Sequence, residues 1–155
     1  MGDGEDGAQR AKKIIEDVRD GRVCKEIENM ALQGVQVLEA HQGRILCTFV
    51  IPNTLVGKDG NWVAGAIATM IDNIGAVAVV SLALRFKASV NFVISYFSTA
   101  RIDEEVEIEA KVLGHRGKLT AMVVEIRKKS NGKMIALGQQ WTSSVSTPES
   151  LVSKL

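Results

Sequence analysis

One carboxylate stands alone in the most apolar part of this chain. From Trp62 to Leu84 the sequence runs WVAGAIATMIDNIGAVAVVSLAL, and Asp72, near its midpoint, is the only charged residue in it. Burying an ionisable group among apolar side chains is costly, so a carboxylate there is either satisfied by nearby donors, such as the backbone or Asn73, or held for chemistry. Desolvation favours the neutral form of a carboxyl group and so tunes it for work as a general base or a nucleophile. About two turns earlier, Ala64 and Gly65 open the segment, and the first amides of a helix have no intrahelical acceptor. Free N–H groups of this kind suit the oxyanion that develops on an attacked carbonyl. Ser89 and Asn91, two apart on the following strand, place a polar pair on one face; by themselves they fit a solvated sheet face better than a site.

These groups need elements to hold them. Ala11, Ile14, Ile15 and Val18 have the i, i+3, i+4, i+7 spacing of an amphipathic helix that ends near Gly21, and a polar, mixed stretch follows to about Gln33. Val35 and Val37, then Ile45, Cys47, Phe49 and Ile51, alternate with polar residues about a turn at Gln42-Gly43, which predicts a hairpin that Pro52 stops. Residues 53–61, with Gly57 and Gly60, read as a loop leading into the apolar run. Ala88–Phe97 is the next strand, with Val90, Phe92, Ile94 and Tyr96 on one face and Ser89, Asn91, Val93 and Ser95 on the other. From Ile102 to Val112, Val106, Ile108, Ala110 and Val112 alternate with Glu105, Glu107, Glu109 and Lys111, so one face is solvated. A turn at His115–Lys118, a strand from Thr120 to Lys128, a hairpin signal at Asn131-Gly132 and a strand from Met134 to Ser143 complete the chain. Helices are not interleaved one per strand, so the pattern predicts an α+β protein with an antiparallel sheet of about six strands.

The apolar run is long enough to cross a bilayer. Asp72 with Asn73 beside it makes a span expensive, and the basic flanks, Lys58, Arg85 and Lys87, set orientation weakly. Six amphipathic strands also need an apolar partner for their inner faces, and no other segment is long enough. The run is therefore expected to be a core helix, with no membrane span.

The composition sets further bounds. With 155 residues, 46% hydrophobic and 24% charged, the chain makes one ordinary globular domain, expected over residues 8–145. A net charge of +1 and the lack of a basic run with interleaved aromatics point away from nucleic acid. Cys24 and Cys47 read as two unpaired thiols of a reducing compartment. His41 and His115 fall in predicted turns, without metal-ligand spacing to either cysteine, so no metal and no cofactor is expected. Residues 1–7, MGDGEDG, read as a disordered leader, and residues 146–155 as a flexible tail. That tail closes on Ser153-Lys154-Leu155, the sequence of the peroxisomal import address, which predicts a soluble import receptor as partner and a peroxisomal matrix location, with cytoplasm as a further site.

The segments ATMIDNIGAVA, ASVNFVISYFSTA and DEEVEIEAKVLGHRGKLTAMVVEIRKKSNGKMIALGQ, in that order, resemble the hotdog-fold acyl-CoA thioesterases of the phenylacetate-pathway and thioesterase-superfamily-member-2-like branch. The resemblance covers about residues 33–142. It implies a sheet wrapped around one long helix, pairing of two protomers into a continuous sheet, commonly as a dimer of dimers, and active sites at the protomer interface. It implies hydrolysis of a fatty-acyl or aryl-acyl CoA thioester. Asp72 aligns with the family's catalytic carboxylate, and Ser89 with a strand serine that positions water from the partner protomer. The turn Arg116-Gly117-Lys118 stands where the family approaches the coenzyme A phosphates, a role in which a cationic side chain makes chemical sense. The chain departs from the family at the helix entrance. Val63-Ala64-Gly65 replaces His-Gly-Gly, Gly57 stands at the spacing of an upstream loop asparagine, and Asn61 is the nearest replacement for it. Those departures leave a second expectation: a hotdog protein that binds acyl-CoA or a partner subunit without efficient catalysis.

Overall fold

Alternation along the last three strands fixes which face of the sheet is covered. In the computed structural model, which describes residues 2–22, 26–83 and 88–144, Val106, Ile108 and Ala110 are buried while Glu105, Glu107 and Glu109 between them are half-exposed. The elements in chain order are α1 (Gly2–Arg19), α2 (Glu26–Leu32), β1 (Gln36–His41), β2 (Arg44–Val50), a single 3₁₀ turn (Asn53–Leu55), α3 (Ala64–Ala83), β3 (Ala88–Tyr96), β4 (Glu105–Arg116), β5 (Leu119–Lys128) and β6 (Met134–Ser143). The six strands form one sheet in the order β1-β2-β4-β5-β6-β3, and every neighbouring pair is antiparallel. Cys24 and residues 145–155 lie outside the described residues, so the tail and its Ser-Lys-Leu do too.

Helix α3 lies on the apolar face of this sheet, against β2, β4, β5 and β6, and α1 packs against both α3 and β1. By length and composition Ala64–Leu82 would suffice to cross a membrane. Here Ile67, Met70, Ile71, Ile74, Val77 and Ala78 are buried instead in one core with Ile45, Phe49, Ile108, Val124 and Ile126. Burying each of those aliphatic side chains contributes on the order of 2 kcal/mol, so covering this sheet is what holds the helix in place. Ser81, buried near its end, accepts from the Gly43 amide at 2.9 Å and pins the helix to the β1–β2 turn.

Two expectations need correction. Residues 2–7, read as a disordered leader, form the first turns of α1: Gly7 is buried and Arg10 pairs with Asp6 at 3.2 Å, one turn apart. Docking against α3 and β1 outweighs the poor helix propensity of the glycines. The stretch before Gln33 contains the seven-residue α2, whose only buried residues are Ala31 and Leu32, too few to give a readable stripe. The predicted end of α1 stands. Gly21 takes φ +72°, its amide donates to Val18 O (3.0 Å), and the Arg22 amide donates to Asp17 O (2.8 Å), which makes a Schellman cap.

Candidate active site

Gln140, on β6, donates from Nε2 to Asp72 Oδ1 at 2.8 Å and to Ser89 Oγ at 2.5 Å. Three elements are tied together at this point: the middle of α3, the start of β3 and the end of β6. Asp72 is half-buried, and along α3 it belongs to the least covered stripe, formed by Gly65, Ala68, Thr69, Asp72, Asn73 and Ala76. These residues recur every three to four positions and so share one helix face. Gly65 and Asp72 are seven residues apart, which places them on nearly the same azimuth and about 10 Å apart along the axis.

The helix start is open. Val63 N donates back to Leu55 O (3.0 Å) and Trp62 N to Ala100 O (2.8 Å), so the chain is held up to the entrance. The first amides that find an acceptor within the helix are those of Ala66 and Ile67, both at Val63 O. Ala64 and Gly65 precede them, are exposed, and point their N–H groups out of the helix end. A Cβ placed on Gly65 would meet no heavy atom within 4 Å. Tyr96 OH donates to Ala64 O at 3.2 Å, and Thr69 Oγ1 to Gly65 O at 2.9 Å, so the carbonyl side of this turn is braced while the amide side meets no acceptor among the described residues.

Ser89 and Asn91 part company. A β-bulge between them sets Ser89 opposite Thr142 and Asn91 opposite Trp141. Thr142 is buried toward the helix and Trp141 is exposed on the far side. The extra residue in the bulge breaks the two-residue alternation, so the polar pair expected on one face is split across both. Ser89 joins Asp72, and Asn91 does not. The resemblance assigns the serine to the partner protomer; here Ser89 and Asp72 of one chain already share Gln140.

Asn61 is not brought to the carboxylate either. Its Nδ2 donates to Asp59 Oδ2 (2.8 Å) and its backbone N to Asp59 Oδ1 (3.1 Å), which turns its amide back into the loop. Val63 leaves its isopropyl group 40% exposed at the entrance. Arg116, Gly117 and Lys118 form the exposed end of the β4–β5 hairpin, where Gly117 takes φ +60° in a two-residue turn between paired Arg116 and Leu119. Four residues and one strand from Gln140, Lys118 is roughly 14 Å away, so the cationic turn stands at the site's end of the sheet without touching Asp72. Arg116 also borders a groove of about 250 Å³ with Leu113, Gly114, His115, Ala121 and Trp141. Cys47 is buried on β2 with its thiol pushed up to about 12 by desolvation, so it serves as core and not as a nucleophile.

Residues 59–135 match the family model of the thioesterase superfamily. This chain belongs to that superfamily. Human acyl-coenzyme A thioesterase 13 is 28% identical to it over 132 residues, which cover 84% of this chain and 91% of the human protein. The crystal structure of zebrafish thioesterase superfamily member 2 superposes with a TM-score of 0.81 at 27% identity, covering 89% of this chain and 98% of that one. The E. coli PaaI protein of the phenylacetic acid degradation operon shares the fold, with a TM-score of 0.70 over 88% of this chain and 94% of its own, at 10% identity. Thioester hydrolysis is thus the superfamily chemistry to be placed on these residues.

Sequence reasoning missed Gln140, Tyr96 and Thr69. The one available signal was Gly138-x-Gln140, a glycine and a polar residue both on the face of β6 that the helix must cover.

Proposed function

We propose that this superfamily member hydrolyses acyl-CoA thioesters to a free acid and CoA, with Asp72 as the general base or nucleophile. The observation that carries the reading is the placement of Asp72, the one charged residue of α3, on the same open face as the free amides of Ala64 and Gly65. In the general-base form, Asp72 takes a proton from a water that attacks the thioester carbonyl. The carbonyl oxygen becomes an oxyanion facing the Ala64 and Gly65 N–H groups. Collapse breaks the C–S bond, and the CoA thiolate leaves and takes up the proton. Arg116 and Lys118 are the cations available to the CoA phosphates. In the nucleophilic form Asp72 attacks the carbonyl itself, the C–S bond breaks to release the CoA thiolate, and water then hydrolyses the acyl-aspartyl anhydride to the free acid and the Asp72 carboxylate.

A second copy of the chain, paired along β3 as a dimer or a dimer of dimers, belongs to the same proposal. So does a peroxisomal matrix location through Ser153-Lys154-Leu155, testable by whether deleting those three residues redistributes the protein to the cytoplasm. The decisive experiment is CoA release from a panel of fatty-acyl and aryl-acyl CoA esters by pure protein and by Asp72→Asn. Wild-type turnover with at least a hundredfold loss in the variant is expected; equal turnover by the two would sink the assignment. A second reading, acyl-CoA binding without efficient turnover, is favoured by Val63 at the entrance and by the Asn61 amide turned into its own loop. Calorimetric binding of an acyl-CoA with no CoA release would select it.

A further inference from the structure

The amide of Gln140 is 3% exposed, and its two N–H hydrogens account for both of its contacts, one on Asp72 Oδ1 and one on Ser89 Oγ. An ionised carboxylate accepts hydrogen bonds and cannot donate them. With the amide reversed, Oε1 would face Asp72, acceptor against acceptor. The carboxylate therefore dictates which way the amide points, and the amide in turn dictates the serine. Because Ser89 Oγ accepts from Gln140, its own O–H hydrogen is turned elsewhere. Oε1 carries the cost of this arrangement: it is buried without a partner among the described residues. Such an orphan is expected where orientation is imposed by two outside groups and not by the amide's own best bonding.

The backbone is shaped for the same contact. Gly138, two residues earlier on the same face of β6, lets α3 approach at Ile71, next to Asp72. The β3 bulge turns Ser89 inward to meet the amide from the other side.

We propose that Gln140 is a positioning residue for hydrolysis: it fixes the Asp72 carboxylate and frees the Ser89 hydroxyl proton to hold the same attacking water. That water would give a proton to Asp72 and accept one hydrogen bond from Ser89, leaving a lone pair for the carbonyl. The inference rests on the thioesterase reading above for its chemistry, but its geometry is testable without turnover.

Two variants of nearly equal length separate positioning from packing. Gln140→Met removes the donor, and Gln140→Glu keeps length and polarity but cannot donate to Asp72 and Ser89 together, since a carboxyl group has at most one O–H. Loss of one hydrogen bond to a charged group predicts a fall in kcat of about ten- to a hundredfold in both. KM is expected within about threefold of wild type, because no contact to the bound acyl-CoA is removed. Wild-type kcat in either variant, or a loss carried wholly by KM, overturns the proposal. The reading that needs neither variant is nuclear magnetic resonance of the full chain. The Gln140 side-chain NH₂ signals should shift in both Asp72→Asn and Ser89→Ala; signals indifferent to both overturn it, even if a Gln140 variant fails to fold. An inactive wild type whose Gln140 signals still respond would count against the thioesterase reading and leave the geometry standing.

Discussion

Gly138 lies against Ile71 more closely than any other described glycine lies against its neighbours: a Cβ on Gly138 would fall 2.3 Å from Ile71 Cγ2. No side chain fits between them, so the backbone of β6 comes up directly beneath α3. Ile71 precedes Asp72, and Gln140 follows Gly138 by one inward-facing position. The close approach of one pair is what lets the next pair reach hydrogen-bonding distance, 2.8 Å.

Gly138→Ala should therefore damage both stability and activity. Overpacking of this size costs about 1–3 kcal/mol, visible as a lower urea midpoint. The helix must move away from β6, and CoA release should fall with it. Ile71→Ala removes the clashing methyl, so the double variant should be less destabilised than the two single losses added together. Strict additivity would mean that the two positions do not oppose each other.

Gly65→Ala should do the opposite to stability. The added methyl meets nothing, and alanine is the better helix residue by up to about 1 kcal/mol, so thermal stability should hold or rise. Gly65 shares the open face with Asp72, and the methyl would project where an acyl carbonyl must approach the first amides. A drop in kcat/KM without loss of stability is the expected pair of results. Unchanged kcat/KM would move the oxyanion site away from this turn.

The acid side of the stability profile has a traceable contributor in Glu104. Lys128 Nζ, at 2.8 and 3.0 Å, is the first cause holding the Glu104 carboxyl below its usual range, and the Arg101 amide, at 2.6 Å, is the second. A carboxyl depressed in the folded state adds stability above its unfolded value, near pH 4.3, and loses it as pH falls through the folded value. Glu104 is partly solvated, so its contribution is below about 1 kcal/mol. Glu104→Gln should be less stable than wild type at pH 7 in urea unfolding, with the difference smaller at pH 3. An equal deficit at both pH values would assign the loss to packing instead.

Much of this architecture is legible because its signals are local. The Glu-Val-Glu-Ile-Glu-Ala alternation of β4 and the unbroken apolar run of α3 each force one geometry, and the strands then need the helix. Asp72 was legible for the same reason, as the one charge in the run from Trp62 to Leu84. Gln140 was not: Gly138-x-Gln140 puts it on the covered face, but nothing in GQQWT shows that a carboxylate waits there until the neighbouring elements are packed. The split of Ser89 from Asn91 was hidden too, because a bulge depends on pairing with β6 and leaves the alternation of β3 looking intact. Asn61 stays apart from Asp72 for a simpler reason. Asp59, two residues away, claims its amide before any ligand arrives.

Strand β3 predicts the assembly. It ends the sheet, its partner there is β6, and its nine residues leave about 30 Å of backbone edge unpaired. Exposed edges are ordinarily guarded by charge, and β1, the opposite edge, carries Glu39 in an ion pair with Arg44. β3 carries no charge at all, and Val90, Phe92 and Val93 are 61%, 39% and 50% exposed. A second copy laid antiparallel along this edge would satisfy its backbone, cover those side chains and bring a second set of Ser89 and Asp72 close by. Light scattering of the full chain should give two or four times 16.8 kDa. Val90→Lys with Val93→Lys should yield a folded monomer with reduced CoA release, since Val93 pairs with the exposed Gln139 and neither residue stands opposite Gln140. A monomeric wild type, or a double variant that still assembles, would place the subunit contact elsewhere.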